Sequence, residues 1–152
     1  MTAAALAGLV VLWLASAYLL GLGLVAVVKP ALAHRFLAAF AQTRRANWIE
    51  AVVRGACGLA LVAVAPLLPM LWLAVGAGIF LFLTAALMPI LPDLHRRIAA
   101  RSVAAIAPYM RLVGVGAIVI GIVLRLLLST ALEVVEGNPH IDFTTGLHLT
   151  PP

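Results

Sequence analysis

Cys57 is the chain's one cysteine, and a thiol–disulfide exchanger needs a pair. Of the four histidines, His34 and His95 sit in basic segments with only Asp93 close by, and His140 and His148 lie near the C-terminus. A metal site needs several ligands in a compact set, and a membrane haem needs histidines stacked within apolar helices. Neither pattern is present, so no metal and no cofactor is expected. There is no serine–histidine–aspartate order, phosphate-cradling glycine loop or zinc motif. An enzyme working at an interface would have to draw His34, Glu50, Asp93 and His95 together. The expectation is a protein that is not an enzyme.

Charges beside or within apolar runs are the other chemical signal. A charge at the middle of a membrane helix costs about 2.5–3.5 kcal/mol on insertion scales. Glu50 and Arg54 lie four residues apart with the acid first, the order that suits a pair on one helix face. They are either an interfacial pair that eases a helix into lipid or a clasp in which Glu50 also reaches Arg111. Arg125 lies fourteen residues past Arg111, roughly 21 Å along a helix. It either snorkels outward along its own stem or meets a partner helix, a carbonyl or an anionic headgroup. No aspartate or glutamate occupies the centre of an apolar run, which argues against a small proton-coupled exporter. Ser16, Thr84, Ser129 and Thr130 are expected to bond carbonyls of their own helices.

The elements that carry these groups follow from composition. Of the 152 residues, 65% are hydrophobic and 10% charged, whereas a soluble domain has roughly 45–50% apolar and about 25% charged residues. So much apolar surface cannot be covered in water, and the solvent for most of the chain is lipid. Four runs reach the roughly 20 residues that cross a bilayer: about Ala3 to Val28, Trp48 to Ala65, Leu71 to Leu91 and Tyr109 to Leu132. Pro30, Pro66 and Pro92 mark the ends of the first three. A lone strand leaves its backbone unsatisfied in lipid, so the runs are helices. The first run lacks the basic start of a secretory signal and is too long for one, so it is taken as a retained span. The expected fold is all-α: an integral membrane four-helix bundle with a short extramembrane tail.

The formal charge of +5 is no nucleic-acid footprint, because seven of the ten basic residues fall between the apolar runs and the other three within them. Lys29, Arg35, Arg44, Arg45 and Arg54 cluster in residues 29–54, and Arg96, Arg97, Arg101 and Arg111 in residues 92–111. With four spans the two clusters share one side, and positive-inside bias makes that side cytoplasmic. Both termini then lie outside, in the periplasm if the membrane is a bacterial inner membrane. Both connections read as amphipathic helices. Leu32, Ala33, Phe36, Leu37 and Phe40 face one way in the first; Leu94, Ile98, Ala99, Val103 and Ile106 do so in the second, opposite Arg96, Arg97 and Arg101. Arg35, Arg44, Arg45, Arg96, Arg97 and Arg101 are the candidates for contact with anionic lipid or a partner, each worth about 1 kcal/mol near an anionic leaflet.

The halves read as copies. Pro30-Ala31-Leu32-Ala33-His34-Arg35-Phe36 matches Pro92-Asp93-Leu94-His95-Arg96-Arg97-Ile98, and Arg54-Gly55-Ala56-Cys57-Gly58 matches Arg111-Leu112-Val113-Gly114-Val115-Gly116. This divides the chain into a first membrane repeat (1–66), a second (67–132) and an acidic tail (133–152). The stretch from Phe80 to Pro92 and on through Arg111 to Ala117 resembles the small two-span inner-membrane proteins of the YjeT type, here in tandem. That resemblance implies a small membrane accessory protein and no particular chemistry. Gly21, Gly55, Gly58, Gly78 and Gly121 belong to closely spaced small-residue pairs that let helices approach, either within the bundle or against a larger complex. In the tail, Gly137-Asn138-Pro139 predicts a turn, and Ile141, Phe143, Leu147 and Leu149 suit a strap over this bundle or a partner's. The functional expectation is a non-enzymatic accessory or structural subunit of a larger inner-membrane, bioenergetic-type complex, in contact with anionic lipid. A small transporter or lipid-handling protein is the alternative.

Overall fold

The computed structural model describes residues 2–40 and 43–137. Among them are six α-helices and no strand: α1 (Ala3–Val28), α2 (Pro30–Phe40), α3 (Arg44–Val64), α4 (Leu71–Ile90), α5 (Pro92–Ile106) and α6 (Met110–Gly137). Residues 65–67 and 107–109 form single 3-10 turns that lead out of α3 and into α6. The helices start where capping chemistry allows. The Thr2 hydroxyl accepts from Ala5 N–H and the Thr43 hydroxyl from Ala46 N–H, each meeting one of the donors a helix start leaves over. Prolines set the ends. Pro30 and Pro92 open α2 and α5, and Pro66 lies in the 3-10 turn that follows α3. The last helix runs five residues past the expected end at Leu132, to Gly137. The strap residues Ile141, Phe143, Leu147 and Leu149 lie outside the described residues.

Four helical stretches are long and apolar enough to cross a membrane: Ala3–Val28, Arg45–Leu67, Leu71–Ile90 and Arg97–Glu133. No more than 28% of the most apolar part of any of them is buried within the protein. Leu14, Trp72, Leu73, Phe80, Ile90, Leu112 and Leu126 are all more than 60% exposed. Apolar side chains outnumber the places a core can offer, and the outward ones need hydrocarbon around them. The architecture is that of a multi-pass helical membrane protein.

The spans pack in the order α6–α1–α3–α4, with α1 and α3 in the middle and α2 tucked against α1, α5 and α6. Each of the two most extensive helix pairs, α1 with α6 and α3 with α4, joins one span from residues 1–66 to one from beyond residue 66. Glycine makes both pairs close. A Cβ added at Gly23 would stand 2.7 Å from the Gly114 carbonyl oxygen, and one at Gly114 would stand 2.7 Å from that of Gly23. Gly58 and Gly78 stand in the same reciprocal relation at 2.6 and 2.7 Å. Backbone therefore lies against backbone, which only glycine permits.

Two apolar clusters close the ends. At the end of the uncharged turn, Leu9 and Leu12 of α1 meet Ala60 and Val64 of α3, Leu67 and Leu68 of the turn, and Leu128 and Ala131 of α6. At the other end Ala26, Ala33 and Met110, flanked by Leu37 and Ile106, seat α2 under α1 and α6. Both basic connections thus lie at one end of the bundle.

Candidate functional site

The basic end holds a polar knot built on the first turns of α3. The Arg54 guanidinium donates to Glu50 Oε1 at 2.5 Å, as the four-residue spacing predicts. The second carboxylate oxygen, Oε2, faces His95 Nε2 of α5 at 3.8 Å. Glu50 thus brings α3 and α5 together at the His95 ring, and among the described residues it forms no pair with Arg111. Both members of the Glu50–Arg54 pair are about one third exposed, 32% and 34% at the side chain, so solvent screening keeps its worth below about 1 kcal/mol.

Asn47, one turn before Glu50, is 5% exposed. Its amide Nδ2 donates to the Met88 carbonyl of α4 at 3.4 Å. The cause lies in the sequence of α4. Leu91 N–H closes the last rung, onto Leu87 O; the next donor in line for Met88 O would be residue 92. That residue is proline and has no N–H, so the Met88 carbonyl is left over, and the Asn47 amide fills the vacancy. Asn47 Oδ1 is buried and has no hydrogen-bond partner among the described residues.

The remaining arginines divide by position. Arg35, Arg45, Arg97, Arg101 and Arg111 are exposed at the basic end, where Lys29 adds a sixth cation. The side chains of Arg44 and Arg96 lie outside the described ones. Asp93 opens α5, its charge favourable at a helix N-terminus. His34 and His95 do not join a metal-ligand group, and among the described residues no cluster of three or more histidine, cysteine or acidic side chains forms.

Arg125 is different in kind. It lies on the exposed side of α6, about 22 Å along the helix from Met110 and about 12 Å short of Glu133. Its guanidinium carbon stands 4.5 Å from the centre of the Trp13 ring of α1. A desolvated cation–π contact is worth about 2 kcal/mol, which offsets much of the 2.5–3.5 kcal/mol or so that a mid-membrane charge costs. The stack uses one face of the guanidinium and leaves its N–H edge unmatched; among the described residues no carboxylate pairs with it. The Trp13 contact was not foreseen from sequence. It follows from the antiparallel register that sets Gly23 against Gly114 and Gly121 against Ser16 and Leu20.

The packing glycines fall out unevenly. Gly58 and Gly78 face one another, Gly55 faces Ala85, and Gly121 packs on Leu20 and the Ser16 carbonyl. Gly21 does not pack: nothing lies within 4 Å of where its Cβ would be, and Gly23, two residues on, takes the contact. Gly8, Gly23 and Gly114 are close-approach positions that the sequence pattern missed. Ser16, Thr84, Ser129 and Thr130 each donate to the carbonyl three residues back, the self-bonding expected of hydroxyls in an apolar helix.

Compared with known protein families, curated proteins and solved structures, the chain has no significant match.

Proposed function

We propose that this chain is a non-enzymatic accessory subunit of a larger assembly in a bacterial inner membrane. The observation that carries the reading is the incomplete enclosure of the outermost spans. Among the four spans, α4 packs substantially only on α3, and α6 only on α1. Trp72, Phe80 and Leu83 on α4 and Leu112, Ile120 and Leu126 on α6 face outward, leaving two broad flanks for neighbouring membrane helices. The tandem YjeT-type resemblance is part of the same proposal, since it points to an accessory role without chemistry of its own. The exposure of Arg35, Arg45, Arg97 and Arg101 at the basic end supports contact with anionic lipid, and on this reading that end faces the cytoplasm and both termini the periplasm. Purification from native membranes in mild detergent, with mass spectrometry of the intact complex, tests the reading. A fixed stoichiometry with another membrane protein is expected; a monodisperse lone monomer overturns it.

The second reading, a small transporter or lipid-handling protein, is favoured by the half-buried Glu50, Arg54 and His95 beside Asn47, a polar patch within reach of the basic interface. Reconstituted protein that moves solute or scrambles lipid, and loses this with Glu50→Gln, would favour it over the accessory role.

A further inference from the structure

Resting on the accessory-subunit reading, we infer that Arg125 and Trp13 form a lateral docking point for a transmembrane helix of a partner protein that carries a carboxylate at the same depth. Three observations converge on this. Arg125 is exposed on the flank of the bundle and its guanidinium carbon stands 4.5 Å from the centre of the Trp13 ring, a stack that uses a face of the group and leaves its N–H edge open to a partner. Side chains on a helix lean toward its N-terminus. For α6 that direction leads from the Glu133 end back toward the interior of the span, so the lean of the Arg125 side chain carries its charge into the apolar layer. And the charge lacks a carboxylate among the described residues.

The chemistry of the occupant follows. A planar guanidinium in hydrocarbon is best matched by a carboxylate, which accepts two parallel N–H bonds. A second copy of this chain does not bring one to that depth in parallel packing. Of the carboxylates within the described segments, Glu50 and Asp93 lie at the basic end, and Glu133 and Glu136 follow Arg125 by eight and eleven residues, about 12 and 16 Å. A phospholipid phosphate would have to be drawn down to a group that the fold directs away from the surface. A partner helix that closes over the Arg125–Trp13 stack excludes water and strengthens the pair.

Two measurements test this. In the first, the full chain is reconstituted in phosphatidylcholine vesicles at pH 8 with a synthetic leucine–alanine transmembrane helix. That helix bears one glutamate, or a matched glutamine, at the depth of Arg125, and energy transfer reads association. The glutamate helix should associate about tenfold more tightly than the glutamine helix. Arg125→Leu should abolish that preference and Arg125→Lys retain part of it. Equal association of the two helices overturns the proposal. So does loss of the preference when phosphatidylglycerol replaces a third of the lipid, because a headgroup phosphate is then the ligand. Arg125→Leu makes α6 more apolar, so failed insertion does not account for a lost preference.

In the second, a photo-crosslinker at Ile122, on the same face one turn before Arg125, is activated in native membranes. Adducts to a membrane-embedded peptide containing aspartate or glutamate, lost with Arg125→Leu, support the site. Adducts to lipid alone overturn it. A partner that copurifies but is crosslinked only from a probe at the exposed Phe80 of α4, and not from Ile122, leaves the accessory reading standing and removes this docking point.

Discussion

Asn47 shows how a single amide can repair a defect made by a proline forty-five residues away. Pro92 strips the Met88 carbonyl of its next rung, and Asn47 Nδ2 supplies the missing donor from a different helix. Asn47→Ala should destabilise the fold by about 1–3 kcal/mol, the range for leaving a buried acceptor unmet. Unfolding by denaturing detergent in mixed micelles would measure it, and a change within error would refute the assignment. Glu50→Gln should cost less than about 1 kcal/mol, since the pair it breaks is a third exposed. The Glu50–Arg54 bond was legible from its spacing alone. The His95 and Asn47 contacts were not, because both depend on where α4 stops and how α5 folds beneath it. One clue did exist: a proline four residues after Met88 announces a carbonyl in need of a donor, though not who gives it.

At the level of the helix, extent and type were open to sequence reasoning because lipid demands long uninterrupted runs and prolines end them. The expected first span coincides with α1, and the others differ by a few residues at their ends. Which small residues face a neighbour was not open to it. In spans this rich in alanine and glycine the four-residue spacing recurs on several faces, so Gly21 fitted the pattern and Gly23 did the packing. The difference is measurable. Gly23→Ala, Gly114→Ala, Gly58→Ala and Gly78→Ala each force a methyl into a carbonyl at 2.6–2.7 Å and should destabilise by about 1–3 kcal/mol. Gly21→Ala and Gly116→Ala meet open space and should stay within about 0.5 kcal/mol of the parent. If all six substitutions behaved alike, the helix register described above would be wrong.

For the molecule as a whole, arginine and lysine counting put both basic connections on one side, and the contact of α2 with α5 places them at one end of the bundle. The order of the helices was beyond that counting, because charge bias reports side and not neighbour. Single cysteines at positions 45 and 97, in a Cys57→Ser background, should resist a membrane-impermeant reagent applied to intact cells, whereas one at position 69, in the turn between α3 and α4, should react. The reverse pattern would invert the proposed topology while leaving the bundle intact.

The pairing of α1 with α6 also bears on how the chain is made. Gly23 leaves the ribosome 91 residues ahead of Gly114, an interval of roughly 5–18 s at the pace of about 5–20 residues per second at which chains are synthesised. For that time α1 waits in the bilayer without its main mate, the close-approach surface at Gly23 open to any other helix that passes. Assembly is completed from the far end backward, and a chain that stalls before α6 is left able to clasp the wrong neighbour.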